Sequence, residues 1–317
     1  MIDASRASMD LRHLQYFIGI VDAGSMALAG RRLHISQPTL SRQIRDLEQE
    51  LGVRLFDRVG RRIVVTEEGR EMAARARHLL AEAEALRARG SALGGGTGGV
   101  LRVGTTPQFL EAGMPDVLTA YRRTYPQIDV RFAEDGGQRL VQRVQQGELH
   151  LAIGVTRGFE PLASRPLYPL RVLAVMALGH RLASRRRLAI DDLARERLLM
   201  LASDFQTRQL FEDAARARNV DLDVILESRS PQSMVALAAA GHGIAIIPSV
   251  VTLARVRVRT TGVVENGRPL GFWARVVWDP RRYLPPYGEG FIEILVRSMK
   301  RSFPGHALGL TRGIRPD

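Results

Sequence analysis

The stretch Ser36–Arg62, SQPTLSRQIRDLEQELGVRLFDRVGRR, constrains the fold more than any other part of the chain. Ser36 is suited to cap a helix, and Pro38 fits the first helical turn, where a missing N–H removes no hydrogen bond. Leu40, Ile44, Leu47 and Leu51 then supply one buried stripe, which leaves Pro38, Ser41, Arg42 and Arg45 on the outer face. Upstream, Leu11, Leu14, Phe17, Ile18 and Val21 recur at helical spacing until Ala23-Gly24. Ser25 caps a short second helix with Met26, Ala29 and Leu33 facing inward, and residues 34–36 form the turn. Downstream, VRLFDR and RIVVT read as two short strands joined by Val59-Gly60, with Arg58, Arg61 and Arg62 at the tip.

Two helices joined by a three-residue turn and followed directly by a basic hairpin predict a winged helix-turn-helix that binds double-stranded DNA. The side chains at the start of the third helix suit base edges. Gln37 can pair bidentately with adenine and Arg42 with guanine, Ser41 and Thr39 can reach bases or phosphates, and Thr39 offers a methyl to thymine. A wing arginine suits the narrow minor groove, where the negative potential is strongest. A helix pair with a Ser-Arg surface is common in helical domains; the wing that follows it makes the combination specific.

From Thr66 a further helix is expected, with Glu67 and Glu68 in its first turn. Met72, Ala76, Leu79, Ala83 and Leu86 recur at spacings of four and three, a seam that predicts pairing with a second copy rather than packing on its own domain. GSALGGGTGG, residues 90–99, reads as a flexible joint, because no strand precedes it and no Gly-Lys-Ser/Thr follows.

LRHLQYFIGIVDAGSMALAGRRLHISQPTLSRQIRDLEQELGVRLFDRVGRRIVVTEEG, with the helix after it, resembles the N-terminal region of LysR-type bacterial transcriptional regulators. The resemblance implies that Gln37, Pro38, Thr39, Ser41 and Arg42 face an operator and that Arg61 is the wing arginine. It aligns the family's usual start with Met9. Three residues depart from the family pattern: Met26 replaces an aromatic residue, Ala27 a hydroxyl residue and Gly30 an alanine. Gly30 costs roughly 1 kcal/mol in helix propensity against alanine.

Residues 100–302 alternate strand and helix patterns, which predicts an α/β fold with a mostly parallel sheet. This half resembles the family's effector domain, two α/β lobes like periplasmic binding proteins with a small-molecule cleft between them. Ligands in such sheets sit beyond the carboxyl ends of strands, where helix N-termini offer N–H groups to anions. On that ground Thr105, Thr106, Gln108, Gly137, Gly154, Ser203, Thr207 and Pro248 are the candidate effector contacts, each weighed against simple helix capping. His150 stands where the family has aspartate and is read as structural; Arg208 is read as solvated, and Arg185–Arg187 as an exposed loop.

The fold expected is α/β overall: a mostly α winged helix-turn-helix over 9–66, a linker and dimerisation helix over 67–90, a glycine-rich hinge over 91–99, and an effector-binding domain over 100–303. Within the last, lobe I covers about 100–160 and 265–303 and lobe II about 166–250, with a disordered tail over 304–317.

Composition narrows function further. The net charge of +13 favours anionic partners, yet residues 1–90 hold 15 Arg against 12 Asp plus Glu while the rest holds 31 basic against 21 acidic residues. Arrangement, not total charge, therefore argues for DNA. With no cysteine and seven scattered histidines, no metal site and no cofactor is expected. No apolar run nears the roughly 18 residues of a membrane span and no signal peptide opens the chain, so a bacterial cytoplasmic location without membrane contact is expected. The function read is a transcriptional regulator, not an enzyme. It would bind an inverted repeat as a homodimer or homotetramer, respond to a small-molecule effector such as an organic anion, and have RNA polymerase as a further partner. The alternative is an architectural DNA-binding protein whose effector domain is ligand-independent.

Overall fold

The computed structural model describes residues 9–60, 62–94, 98–155, 157–253 and 256–305. The first eight residues, Arg61, positions 95–97 of the glycine-rich hinge and the tail from 306 lie outside the described residues. Two compact units divide the chain, the first running through Gly95 and including Gln146–Glu148, the second starting at Gly96 and holding the rest.

In the first unit, α1 (Leu11–Ala23), α2 (Met26–Leu33) and α3 (Gln37–Leu51) pack around Leu14, Phe17, Ile20, Ala29, Leu40, Ile44 and Leu47. The hydroxyls of Ser25 and Ser36 accept from the N–H groups of Leu28 and Thr39, as their cap positions predict. Gly30 has a packing reason: a Cβ there would sit 2.7 Å from the Ile35 carbonyl oxygen, so the turn into α3 closes against a bare backbone. Next come β1 (Phe56–Val59) and β2 (Arg62–Val65), an antiparallel ribbon paired Phe56↔Val65 through Val59↔Arg62. Val59 is thus the last residue of its strand rather than part of the loop, and the connection lies between it and Arg62.

The helix α4 (Glu67–Leu93) begins where the Thr66 hydroxyl accepts from Gly69 N–H at 2.8 Å. It runs on through Leu93, four residues into the stretch expected to be a loop. Its stripe is divided. Ala73 and Ala76 are buried in the core of the first unit and Met72 packs against it, whereas Leu79 is 46% and Leu86 75% exposed. Ala76 is therefore a core residue of its own unit and not an open seam position, because α4 covers α1 along its first turns.

The second unit opens with β3 (Gly99–Thr105), α5 (Pro107–Thr124), β4 (Ile128–Glu134), α6 (Gly137–Gln145) and β5 (Leu151–Val155). A 15-residue strand follows, β6 (Ala163–Ala177). Then come β7 (Arg187–Ala189), α7 (Ile190–Leu193), β8 (Arg197–Leu201), α8 (Gln206–Ala217), β9 (Asp223–Ser228), α9 (Pro231–Ala239) and β10 (Ile244–Pro248). The last elements are β11 (Val258–Glu265), β12 (Arg268–Pro269), β13 (Gly271–Trp278) and α10 (Pro286–Arg301).

In the first lobe, β3 lies parallel to both β4 and β5, while β13 runs antiparallel to β5 and to residues 163–171 of β6. In the second, the remainder of β6 pairs antiparallel with β10 and β11, and β8 lies parallel to β10 and β9. The sheet is thus mixed rather than mostly parallel, because each passage of the chain between lobes adds an antiparallel strand. The β11–β12 hairpin, which carries little alternation, still belongs to the second lobe, so the return to the first begins at Gly271 rather than near 265. There α10 packs on α5, with the Tyr121 hydroxyl donating to the Tyr287 carbonyl at 2.9 Å.

His150 ties β3 to the start of β5: its Nδ1 accepts from Arg102 N–H at 2.9 Å and its own N–H donates to the Arg102 carbonyl. Burial, reinforced by the Arg102 charge, lowers its pKa to about 4. The folded chain holds this imidazole neutral while the unfolded chain protonates it near 6.5, so its contribution is complete above pH 6.5 and is lost as pH falls towards 4. We predict that urea unfolding shows an acid-side loss of at most about 3 kcal/mol across that window, and that His150→Gln flattens the slope there.

Candidate functional site

The start of α3 is an open face. Gln37, Pro38, Thr39, Arg42 and Arg45 are exposed and Ser41 is half-buried. Two of these groups are partly committed: the Thr39 hydroxyl lies 2.7 Å from the Ser36 hydroxyl, and Arg45 Nε donates back to the Ser41 carbonyl at 3.3 Å. Gln37 and Arg42 are the groups left to reach outward. Arg42 sits one turn inside the helix N-terminus, where a recognition helix meets base edges.

The ribbon register separates two wing arginines that the sequence places together. Direct partners across an antiparallel pair share a face, and neighbours along a strand alternate. Arg58, opposite Ile63, therefore shares the face of Phe56 and Val65, whereas Arg62, opposite Val59, lies on the other. Around Arg62, Val59 is 64% and Val64 42% exposed. An apolar ribbon edge with a cationic head is the feature that sequence alternation alone did not bring out. Arg61 itself lies outside the described residues.

In the second unit, six of the eight candidate contacts come together. Thr106, Gln108, Gly137, Gly154, Thr207 and Pro248 line one narrow cleft, open to solvent on part of its surface. Thr105 is fully buried behind it, and Ser203 lies off it, its carbonyl accepting from the Gln209 amide at 2.9 Å. The walls that sequence reasoning missed are Tyr168 and Leu170 from β6, Phe205 and Gln206 at the head of α8, and Phe272 from β13. Tyr168, Leu170 and Phe272 lie in strands and Phe205 carries an ordinary core side chain, so nothing in their local pattern marks them; Gln206 is a buried polar residue beside the named Thr207.

Three helices begin at this cleft, α5 after Thr106, α6 at Gly137 and α8 after Phe205. Neither Thr106 nor Phe205 makes a side-chain capping bond, so the free N–H groups of α5 and α8 are not masked by their caps. Helix capping therefore does not account for Thr106. The Gln108 amide nitrogen and the Tyr168 hydroxyl are buried without a hydrogen-bond partner. Burial holds the phenol of Tyr168 protonated far above neutral pH, so it remains a donor. Among the described residues, no charged side chain lines the cleft. Arg208, expected to be solvated, is only 7% exposed and held by Glu212, Glu227 and the Leu201 carbonyl. His150 is spent on the backbone of β3, away from the cleft lining.

The family model for the bacterial regulatory helix-turn-helix protein of the lysR family matches residues 11–70, and that for the LysR substrate binding domain matches residues 94–300. The chain belongs to the LysR family. It is a DNA-binding transcriptional regulator of the LysR type. A hydrogen peroxide-inducible genes activator from Pectobacterium carotovorum subsp. carotovorum is 30% identical over 242 residues, covering 76% of this chain and 80% of that protein. A full-length OxyR variant from Pseudomonas aeruginosa superposes with a TM-score of 0.66 at 22% identity, over 92% of this chain and 95% of that one. Full-length CbnR in complex with its target DNA gives 0.64 at 22% identity, over 92% of this chain and all of that one.

For this LysR-type regulator, Arg42→Ala is expected to lower the preference for operator over random DNA by about 1–3 kcal/mol, the worth of one bidentate base contact. Competition binding on the DNA upstream of its own gene measures it. Equal loss on both DNAs would reassign Arg42 to phosphate.

Proposed function

We propose that this LysR-type regulator binds an inverted-repeat operator as a homodimer or homotetramer in the bacterial cytoplasm. In this reading, occupancy of its cleft by a small organic anion alters its contact with DNA and RNA polymerase. One observation carries the effector class: two buried donors without partners, Gln108 and Tyr168, share a cleft with three helix N-termini and, among the described residues, no charged side chain. Each unpaired donor costs about 1–3 kcal/mol, which an incoming acceptor oxygen removes. Helix N-termini favour negative charge, while Leu170, Phe205, Pro248 and Phe272 supply apolar walls. A compact carboxylate with an apolar body fits both features.

Peroxide sensing through a thiol has no support in this chain, since none of its 317 residues is cysteine and thiolate oxidation has no substrate here. The architectural, ligand-independent reading is disfavoured by the same two donors, because a cleft without a ligand has no reason to keep them. Regulation of transcription rather than turnover of the bound molecule accounts for a site made of donors and apolar walls.

Self-association follows from α4. Leu79, Leu86 and Leu93 are exposed at intervals of seven residues, the period of a two-helix seam, and a twofold protein matches a twofold operator. The seam thus begins beyond Ala76 and extends further towards the C-terminus than the sequence spacing indicates.

Two measurements test this reading. Thermal shift against a panel of small carboxylates should yield a stabilising ligand. Tyr168→Phe should then leave the ligand-free protein as stable or up to about 1 kcal/mol more so, while weakening that ligand about tenfold; unchanged affinity would remove Tyr168 from the site. Leu79→Lys with Leu86→Lys is expected to yield monomers by sedimentation and to abolish the dyad footprint on operator DNA, with unfolding of the second unit unaffected.

A further inference from the structure

The cleft is shut at one mouth by bare backbone. A Cβ on Gly136 would lie 2.9 Å from the Asp204 carboxylate and 3.0 Å from its carbonyl oxygen, and one on Gly137 would lie 2.7 Å from the Gln206 amide carbon. These glycines open α6 in the first lobe; Asp204 and Gln206 lead into α8 in the second. The lobes approach here as closely as the chain allows.

Polar contacts cross between the lobes around the same mouth. Arg229, after β9, is oriented within its own lobe by the Asp204 carboxylate, 2.9 Å from Nη1, and crosses to Asp135 of the first lobe at 3.5 Å. Arg157, after β5, pairs with Asp213 of α8 at 2.8 Å, and its carbonyl accepts from Gln206 Nε2 at 2.9 Å. Gln138 donates to Gln209 at 3.4 Å. The arginines hold the Asp213 carboxyl below the usual carboxylate range, with Arg157 the first cause and Arg216 the second. The charged and titratable groups facing these clamps are Asp135, Arg139, Arg157, Asp204, Asp213, Arg216 and Arg229.

We propose that Gly136-Gly137, with the Arg229 and Arg157 clamps, forms a latch that keeps the effector cleft shut in the ligand-free protein, so that an effector is admitted by opening the lobes rather than by drawing them together. This deepens the effector reading above and rests on it. The contacts are made by the chain's own groups and join α6 and the segment after β5 to α8 across one mouth of the cleft. Each clamp is exposed and therefore weak, shifting the open fraction by up to about fivefold. The glycine contact is the stricter one, since a methyl group on Gly136 must displace the Asp204 carboxylate and push back its carbonyl oxygen at 3.0 Å. Because the apparent affinity of a ligand scales with the competent fraction, loosening the latch tightens binding.

The cysteine-free chain permits a direct test. Spin labels on the full-length protein at the exposed Gln142→Cys of α6 and Ala217→Cys of α8, both outside the latch contacts, report the distance across the mouth without any effector. The latch predicts one short distance in the parent. It predicts a longer or broader one in Gly136→Ala and in the Arg157→Gln, Arg229→Gln pair, with the ligand found by thermal shift binding the clamp variant two- to fivefold more tightly. An unchanged distance in both variants, or a longer parent distance that shortens with ligand, overturns the latch. If the distance lengthens and no carboxylate binds any form, the latch stands and the effector class falls. Circular dichroism melts of each variant distinguish opening from unfolding.

Discussion

A single strand couples everything in the second unit. Residues 163–171 of β6 pair with β13 in one lobe, with a register shift between Ala274 and Arg275, and its remaining residues pair with β10 and β11 in the other. Beside it the return crossing is fixed as firmly, with Val172 N–H donating to the Leu270 carbonyl and Leu270 N–H to Val263. Two adjacent chain crossings along one edge make a hinge with little freedom to slide. These crossings join the lobes by backbone hydrogen bonds, whereas the mouth at α6 and α8 is held by side-chain contacts. Tyr168 and Leu170 stand on the strand itself, so the cleft floor is part of the hinge.

Local signals were legible wherever one residue type answers one physical need. Ser25, Ser36 and Thr66 cap the helices they precede, and the α3 stripe of Leu40, Ile44 and Leu47 is buried. The cleft lining was legible through topology: the carboxyl ends of strands place Thr106, Gln108, Gly137, Gly154 and Thr207 at one cleft. What escaped was set by distant partners. Nothing near Tyr168 shows that Phe109 stacks on it at 5.5 Å and leaves its hydroxyl unpaired. Pro107 starts α5, which makes Gln108 a helix residue. The seam on α4 misled because its spacing satisfies two partners in turn, the core of its own unit at Ala76 and solvent at Leu79 and Leu86.

Arginine does several unlike jobs in this chain. Arg208 is nearly buried and offset by two glutamates and a carbonyl, a local structural use. Arg157 and Arg229 span lobes at the surface, where each pair contributes little by itself. Arg42 and Arg62 are exposed on elements suited to duplex DNA. The net charge of +13 thus averages over groups with different roles, which is why its distribution between the two units could not identify the DNA-binding part.

The first turns of α4 are welded to the ribbon: a Cβ on Gly69 would fall 2.2 Å from the Leu55 carbonyl oxygen, and Ala73 and Ala76 sit inside the helical core. The remaining turns project Leu79, Leu86 and Leu93 on a rod of 27 residues, about 40 Å long. Such a rod is a lever arm with its fulcrum in the DNA-binding fold. Over the roughly 25 Å from Ala76 to Leu93, a tilt of about 5° moves the far end by roughly 2 Å. The geometry therefore exchanges ångström displacements at the distal leucines for small rotations of the recognition helix and wing, without any rearrangement of the core between them.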